Sequence, residues 1–219
     1  MSAVLPVDPK ELAELGVATV YEAGGRTGLV EGPLIQVVPG SRAAGPARTV
    51  LCGQDDNLMV HAVMDQVRPQ EVLVLTMPKP APVALVGELL ALQAKRRGAA
   101  ALLVDAAVRD VEALRDLGLP VWTRYVSVRG ATKDVVGAIN VPVTVGGAEI
   151  RPGDWVVLDA DGAVVIAAER LPEVLQAARA RAMREQDLRR KLEAGHLTYD
   201  LHGLRAKVEG TAFPRPRKP

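Results

Sequence analysis

The sequence has 219 residues, which suits one α/β domain with an extension or at most two small domains. Hydrophobic residues make up 48%, enough for a sizeable core, but only 3% of residues are aromatic, which argues against a base-stacking platform for nucleic acid. The 27 basic and 26 acidic residues leave a net charge of +1, so no overall field directs the protein to nucleic acid or to a membrane surface.

The cysteine content and the N-terminus narrow the class further. The single cysteine, Cys52, cannot form an intramolecular disulfide or a thiolate metal cluster, and we expect it to be a small buried hydrophobic residue. The segment MSAVLPVDPKELAEL lacks a basic region followed by a long apolar run, so no signal peptide is predicted. Because no stretch reaches about 18 consecutive apolar residues, we expect a cytoplasmic protein without a transmembrane helix.

Two short helices are predicted near the N-terminus. DPKELAELG reads as a helix with Asp8 as the N-cap, Pro9 at the first helical position and Glu11 closing a capping box. VATVYEAGGRTG predicts a second short helix, which ends at the pair Gly24-Gly25.

Strands and helices alternate through the middle of the chain, which favours a layered α/β domain. The segment EVLVLTM is a nearly continuous apolar run, typical of a strand that is buried on both faces. The predicted segments, in chain order, are a strand over 45–53, a helix over 55–67, a strand over 71–77, a helix over 87–98, a strand over 100–106 and a helix over 110–118.

The last third of the chain is first β-rich and then helical. LPVWTRYVS and VPVTVGG predict strands, and Asp161-Gly162 between two apolar runs predicts a hairpin. From Leu171 to about Glu193 the chain is charged and helical, and we expect the terminal RPRKP to be disordered.

Two of the strand-to-helix junctions carry residues suited to ligand binding, since ligands of α/β domains gather at such junctions. With Gly87 as the N-cap, the backbone N–H groups of Glu88, Leu89 and Leu90 would form a binding site for a carboxylate. The alternative is an ordinary helix start, where Glu88 favours the positive end of the helix dipole.

At the second junction, Arg109 and Asp110 stand side by side. Asp110 suits the N-cap of a helix that begins at Val111, and Arg109 suits a surface ion pair. In the functional alternative, Asp110 is an oxygen ligand for Mg²⁺ or Mn²⁺, and the planar fork of Arg109 holds a carboxylate or a developing oxyanion. The residues alone leave both interpretations open.

The spacing between the two junctions resembles a known signature. Twenty residues separate Glu88 from Arg109-Asp110, similar to the acidic-x20-Arg-Asp pattern of the class II pyruvate aldolases that cleave 4-hydroxy-4-methyl-2-oxoglutarate and 4-carboxy-4-hydroxy-2-oxoadipate. Those enzymes share a fold with the regulator of ribonuclease activity A family. The blocks LGVATVYEAGGRTGL, PGSRAAGPARTV, DNLMVHAVMDQ, GELLALQAKRRGAAALLVDAAVRD and GAINVPVTVGGAEIRPGDWVVLDADGAVVI resemble the family's blocks in order, and GHLTYDLHGLR resembles the aldolase tail.

The resemblance implies a fold and an assembly. The fold is a layered α/β/β/α sandwich of the swivelling phosphohistidine-domain type, with a long C-terminal helix that docks on a neighbouring subunit. Residues 1–170 would form a single aldolase domain, 171–205 the helix and tail that make oligomer contacts, and 206–219 a flexible tail. We therefore expect a homotrimer or a dimer of trimers, with a small 2-oxo acid as substrate and no nucleic-acid or membrane partner.

The resemblance also implies roles for individual residues. Asp110 would be the direct metal ligand, and Arg109 would bind the keto oxygen and stabilise the enolate. The backbone over 87–90 would receive the pyruvyl carboxylate, and Glu88 would orient water bound to the metal. Glu185 matches an acidic residue that reaches in from the adjacent subunit.

Asn57 and Lys133 are further substrate-binding candidates, since Asn57 falls in the family's Asp-Asn block and Lys133 matches a loop lysine. Their alternatives are a helix-start residue and a solvated lysine, and His61 reads as a histidine on a helix face. The chain departs from the family where Glu88 replaces the usual Asp, where PKPAPVAL lacks aromatics, and where His196 stands at a usually acidic position.

The activity implied by the resemblance is metal-dependent retro-aldol cleavage of a 4-hydroxy-2-oxo acid to pyruvate and a second oxo acid. Oxaloacetate decarboxylation passes through the same enolate and is expected as well. Two alternatives remain. One is a non-catalytic regulator that binds a ribonuclease, and the other is a Schiff-base aldolase with Lys133 as its nucleophile.

Overall fold

The computed structural model describes residues 7–209 of the chain. The helices are α1 (Pro9–Leu15), α2 (Val17–Ala23), α3 (Leu58–Val63), α4 (Glu88–Arg96), α5 (Val111–Leu117), α6 (Leu171–Glu193), α7 (Thr198–Leu201) and α8 (Leu204–Glu209), with a 3-10 turn at Ala168–Arg170. The strands are β1 (Ile35–Gln36), β2 (Ala43–Leu51), β3 (Val72–Thr76), β4 (Ala84–Val86), β5 (Ala101–Val108), β6 (Val121–Val126), β7 (Ala138–Ile139), β8 (Val143–Val145), β9 (Ala148–Ile150), β10 (Trp155–Asp159) and β11 (Gly162–Ile166).

A mixed sheet forms the centre of the fold. Its strand order is β1-β6-β5-β3-β2-β10-β11, with β4 paired to β5 and β7 paired to β2. Neighbours among β2, β3, β5 and β6 run parallel, whereas β1, β7, β10 and β11 pair antiparallel. A separate two-stranded ribbon, β8–β9, packs its apolar side chains against one face of this sheet.

The central strands are buried on both faces, as their continuous apolar runs predict. On β3, Leu73 and Leu75 pack with the helices α3, α4 and α5, while Val72 and Val74 pack with the β8–β9 ribbon. Two distinct cores therefore share one sheet, one core on each side.

A third core lies outside the β10–β11 hairpin. There, α1, α2 and the first turns of α6 contribute Leu12, Val20 and Val174, which pack against Val157 and Val164 of the hairpin. The succession of helices, sheet, second β layer and helices confirms the layered α/β class.

The long charged helix is present as α6, but the chain divides into two compact units within it, Met1–Arg179 and Ala180–Pro219. The second unit contains the rest of α6 together with α7 and α8. Docking of this part on another subunit remains a prediction, and the RPRKP segment lies outside the described residues. In residues 7–209, every helix is too short or too polar to cross a membrane.

One local prediction at the start of the first unit was wrong. Asp8 caps α1 by accepting a hydrogen bond from the Lys10 N–H at 2.9 Å, but Glu11 closes no capping box. Its carboxylate instead receives both arms of Arg179, each at 2.6 Å, because a bidentate pair with a guanidinium is stronger than a bond to one backbone N–H.

The strand predicted over 100–106 is observed as β5 and continues two residues further, to Val108. Asp105 lies within this strand, and its carboxylate is paired with Arg124 of β6, at 2.6 Å from its Nε. A further strand, β4, was not predicted, and it directly precedes Gly87 at the start of α4.

Candidate functional site

The two junctions singled out in the sequence lie side by side in the structure. Strand β4 runs parallel to β5, with Val86 opposite Val108, and the Arg109 N–H donates to the Val86 carbonyl at 3.0 Å. Parallel strands end at the same edge of a sheet, so Gly87 after β4 meets Arg109 and Asp110 after β5. This edge is where an α/β fold ordinarily binds its ligands.

Asp110 stands at the N-cap position of α5, but it does not act as the cap. Its backbone is left-handed, with φ of 61°, and its side chain bonds to no N–H of α5. Instead, Oδ2 accepts a hydrogen bond at 3.1 Å from the N–H of Glu88, in the first turn of α4. The N-cap interpretation of Asp110 is therefore wrong, and its half-exposed carboxylate is aimed at the neighbouring junction.

Arg109 lies against this carboxylate. Its Nε is 3.7 Å from Asp110 Oδ2, and half of its side chain remains exposed. The pair is thus held close without being fully neutralised by a bidentate contact, which leaves guanidinium N–H groups for an external anion.

Gly87 leaves the space in which this pair sits. A Cβ built there would overlap Asp110 Oδ2 and would lie 3.1 Å from Arg109 Cγ. The backbone of Gly87 is extended and open to any residue, so the requirement for glycine is one of space.

We expect Gly87→Ala to fold normally and to lose activity by roughly tenfold or more, because one methyl displaces both charged side chains of the pair. Steady-state kinetics and circular dichroism would measure the two effects. Gly24→Ala, at a position with a φ of −76° outside the cavity wall, serves as the control for the glycine substitution itself. Unchanged turnover in Gly87→Ala would refute a requirement for the observed Asp110 position.

A cavity of about 310 Å³ opens beside the pair. Its lining includes most of the residues proposed from the sequence, namely Asn57, Gly87, Leu89, Leu90, Arg109, Asp110 and Lys133, together with His61, Ala84, Leu85 and Ala131. Glu88 does not line it and contributes its backbone N–H to Asp110. Glu185 belongs to the second unit, where it pairs with Arg181 at 2.8 Å.

His61 also lines the cavity, although the sequence predicted only a histidine on a helix face. Burial lowers the pKa of its imidazole, and the nearby charge of Lys133 lowers it further. It follows Asn57 by four residues, a spacing that places both on one side of α3. This four-residue spacing is the sequence signal that could have placed His61 beside Asn57 at the cavity.

Asn57 is held within the cavity wall. Only 7% of the residue is exposed, and its Nδ2 donates to the Leu85 carbonyl at 3.0 Å. Among the described residues, nothing donates a hydrogen bond to its buried Oδ1.

Asp56 fixes the loop that carries Lys133, a role that sequence reasoning missed. Its buried carboxylate caps α3 through the Leu58 N–H at 2.8 Å and accepts from the Thr132 hydroxyl at 2.7 Å and the N–H groups of Asp134 at 2.6 Å and Val135 at 3.2 Å. Burial favours the neutral acid, but these hydrogen bonds outweigh it and lower the pKa of Asp56 to about 2.

This shift predicts an acid-dependent loss of stability. The pKa of Asp56 is lower in the folded than in the unfolded chain, so its contribution is complete above about pH 4 and disappears as the pH falls toward 2. Urea unfolding between pH 2 and 7 should show that Asp56→Asn is less stable at pH 7 and loses less stability below pH 4 than the wild type. Parallel pH profiles for the two proteins would contradict this account.

The residues at the cavity fit a magnesium-type ion held mainly by water. Within residues 7–209, no three His, Cys, Asp or Glu side chains are grouped as an all-protein metal cage. Asp110 nevertheless offers a half-exposed carboxylate whose Oδ1 accepts no hydrogen bond from the described chain. One carboxylate and several waters is a usual arrangement for Mg²⁺, which dehydrates reluctantly.

Comparisons with known proteins agree with the fold. A sequence model of the RraA-like family, described as Aldolase/RraA, matches residues 17–165. A Halalkalibacterium halodurans protein named "Putative 4-hydroxy-4-methyl-2-oxoglutarate aldolase" is 38% identical over 138 residues, covering 63% of this chain and 66% of that protein, just under two thirds of its length.

Two solved structures are similar to this chain over most of its length. An uncharacterized protein from Pseudomonas syringae superimposes with a TM-score of 0.76 and 25% identity, covering 86% of this chain and 92% of the other. Streptomyces coelicolor RraAS2, described as an unusual member of the RNase ES inhibitor RraA protein family, gives a TM-score of 0.69 and 29% identity, covering 84% and 99%.

Proposed function

Because the chain belongs to the RraA-like family, whose members include aldolases and RraA proteins, we propose that it is a divalent-metal-dependent pyruvate aldolase. Its substrate would be a 4-hydroxy-2-oxo acid of the 4-hydroxy-4-methyl-2-oxoglutarate or 4-carboxy-4-hydroxy-2-oxoadipate type. The observation that carries this proposal is the Asp110 carboxylate seated on the first turn of α4, beside Arg109, at the wall of a cavity. A ribonuclease-binding surface has no need of that arrangement.

The chain offers separate groups for the two ends of the pyruvyl unit. The N–H groups of Leu89 and Leu90 belong to the first turn of α4, have no acceptor within the helix, and suit a carboxylate. The guanidinium of Arg109 suits the keto oxygen, where negative charge grows as the enolate forms. A divalent ion at Asp110 would, when bound, polarise the same keto oxygen as a Lewis acid.

The proposed reaction breaks the bond between C3 and C4. A water or hydroxide oriented by Glu88 and by Glu185 of a neighbouring subunit would take the proton of the C4 hydroxyl, and C4 becomes a carbonyl as the bonding electrons move to C3. The resulting enolate of pyruvate is stabilised at its oxygen by Arg109, and protonation at C3 releases pyruvate. Decarboxylation of oxaloacetate would form the same enolate, with CO₂ leaving in place of the oxo acid.

Pyruvate release from a panel of 4-hydroxy-2-oxo acids and oxaloacetate, with Mg²⁺ and after EDTA treatment, tests the proposal. We expect turnover only with the metal. Borohydride reduction in the presence of pyruvate separates this mechanism from a Schiff base, since only a covalent mechanism through Lys133 would trap pyruvate on the chain. Activity that survives EDTA, or trapping at Lys133, would refute the metal-dependent aldolase.

The likeness to Streptomyces coelicolor RraAS2 supports a second candidate, a non-catalytic regulator of a ribonuclease. Inhibition of a ribonuclease that persists in Asp110→Asn would support this function, because protein binding does not depend on the Asp110 carboxylate. No inhibition by the wild-type protein would exclude it for the ribonuclease tested.

We also propose a trimer or a dimer of trimers, in which Glu185 completes the site of a neighbouring subunit. Asp110→Ala and Glu185→Ala should each be inactive, and chains unfolded and refolded together should recover part of the activity, because some sites then combine one intact Asp110 with one intact Glu185. Light scattering gives the assembly state. An active monomer, or an inactive mixture that has formed hetero-oligomers, would rule out the shared site.

A further inference from the structure

The wall of the cavity beside Gly87 holds few side chains that can exchange a proton. Among the described residues, the titratable side chains on this wall are His61, Arg109, Asp110 and Lys133. Arginine and lysine are ordinarily cations at neutral pH and aspartate an anion, whereas histidine changes its protonation state close to neutral pH. Because Asp110 would hold the metal and Arg109 the keto oxygen, His61 is the wall residue suited to carry a proton.

The two glutamates considered for proton transfer lie elsewhere. Glu88 does not line the cavity, and it contributes the backbone N–H that donates to Asp110 at 3.1 Å. Glu185 belongs to the second unit, where its carboxylate is 2.8 Å from the guanidinium of Arg181. The proposed reaction moves one proton from the C4 hydroxyl to C3, so a group at the cavity that can both accept and donate a proton would complete it.

The imidazole of His61 is free for this task. Within residues 7–209 it takes part in no ion pair or side-chain hydrogen bond, so both ring nitrogens can face a ligand. Burial lowers the pKa of His61, and the charge of Lys133 lowers it further, so the ring is mostly neutral at pH 7. A neutral imidazole has one unprotonated nitrogen, which is the state that a proton acceptor needs.

The other charged groups around α3 are neutralised or engaged. Of the strands packed against this helix, β7 carries no titratable side chain, and Arg48 of β2 is paired with Glu71 at 2.6 Å. The thiol of Cys52, just after β2, stays protonated because burial raises its pKa to about 12. The Asp56 carboxylate accepts four hydrogen bonds from α3 and the loop after β6. The charges that act on His61 across the cavity are therefore those of Lys133, Arg109 and Asp110.

The position of His61 is tied to the edge of the sheet that carries Gly87. Asn57, one helical turn before His61, donates from its side chain to the Leu85 carbonyl at 3.0 Å. Leu85 lies in β4, two residues before Gly87. The Asn57 N–H also donates to the Thr132 carbonyl at 2.9 Å. These bonds hold α3 against both β4 and the loop after β6, so the imidazole is kept at the wall of the cavity.

We propose that His61 is the proton carrier of the reaction, a catalytic residue that receives the proton of the C4 hydroxyl and returns it to C3. This inference rests on the proposed function. The O–H bond at C4 breaks as an N–H bond forms on the imidazole, directly or through the intervening water, and the electrons of the C3–C4 bond move into the enolate. The N–H bond then breaks, the enolate electrons form the new C3–H bond, and the ring is neutral again.

Exchange of the pyruvate methyl protons into D₂O, with saturating Mg²⁺, isolates the step at C3, because the neutral imidazole would remove a proton and return a deuteron. The wild-type rate should rise with pH through a midpoint below the usual histidine pKa of 6.5 and then level off. His61→Gln keeps a polar side chain but cannot carry a proton, so it should lower the exchange rate by about 10² and lose this pH dependence. Calorimetric binding of oxalate with Mg²⁺, which reports the 2-oxo end alone, should stay within about twofold.

A second variant and a matched control separate catalysis from structure. Imidazole added to His61→Ala should restore part of the exchange, in proportion to the free base of imidazole. It should not help Arg109→Lys, whose defect lies at the keto oxygen.

The inference and the proposed function can fail separately. No exchange by the wild type, an unchanged rate or pH profile in His61→Gln, or no rescue of His61→Ala by imidazole would each overturn the inference. Exchange that depends on His61, without pyruvate release from any 4-hydroxy-2-oxo acid, would retain His61 as the proton carrier to C3 and refute the aldolase. Pyruvate release that is unaffected by His61→Gln would do the reverse.

Discussion

Asp110→Asn is expected to fold like the wild type and to lose pyruvate-forming turnover by a factor of about 10³. The substitution keeps the size of the side chain, and asparagine tolerates the left-handed backbone at this position. The Asp110 carboxylate makes no capping hydrogen bond to α5, so its conversion to an amide removes none from that helix. What is lost is the negative oxygen that would hold the divalent ion, which can be followed by turnover with saturating Mg²⁺ and by calorimetric Mg²⁺ binding.

Asp55→Asn is the matched control for this experiment. Asp55 has a φ of 58°, close to that of Asp110, but it does not line the cavity. It should retain wild-type turnover and metal binding. If Asp110→Asn bound Mg²⁺ and turned over as well as Asp55→Asn, the role of Asp110 as metal ligand would be wrong.

Arg109→Lys should lower kcat by about 10² with only a small change in stability. Lysine keeps the positive charge but lacks the planar fork that can bind an oxyanion through parallel hydrogen bonds. Exchange of the pyruvate methyl protons into D₂O, followed by NMR, reports enolate formation directly. That exchange rate should fall in parallel with kcat.

The corresponding control is Arg129→Lys, because Arg129 is exposed on the loop near Gly130 but is absent from the cavity wall. Its exchange rate should equal that of the wild type. Methyl exchange that remains unchanged in Arg109→Lys would remove this residue from enolate stabilisation, whatever happened to kcat.

Much of the fold follows from local sequence patterns. The apolar run over 72–76 could only be a strand buried on both faces, and the Asp161-Gly162 turn between apolar runs gave the β10–β11 hairpin. Strand β4 was missed because three residues after a proline-rich segment carry too little periodicity. Its pairing with β5 depends on chain elements that are distant in sequence, which no local pattern encodes.

The site, like the fold, could be predicted only in part from local sequence patterns. The spacing from Glu88 to Arg109 and Asp110 located the two junctions, but it did not show which backbone group Asp110 would bind. The intrinsic preference of aspartate for an N-cap pointed to α5, and a left-handed backbone directed the carboxylate to α4 instead. Asp56 was missed because its partners lie 76 to 79 residues further along the chain.

The buried pair of Asp105 and Arg124 helps to determine the position of the site, because it favours one register of β5. Sliding β5 by one residue would turn Asp105 into the aliphatic core that contains Val104 and Ala106, away from Arg124. An uncompensated charge there costs several kcal/mol, so such misregistered pairings are heavily penalised. An apolar strand such as LLVDAAV could otherwise slide with little loss of burial. The ion pair thus favours the observed register of β5 over its alternatives. Because Arg109 follows Asp105 by four residues, that register also determines where Arg109 lies at the edge of the sheet.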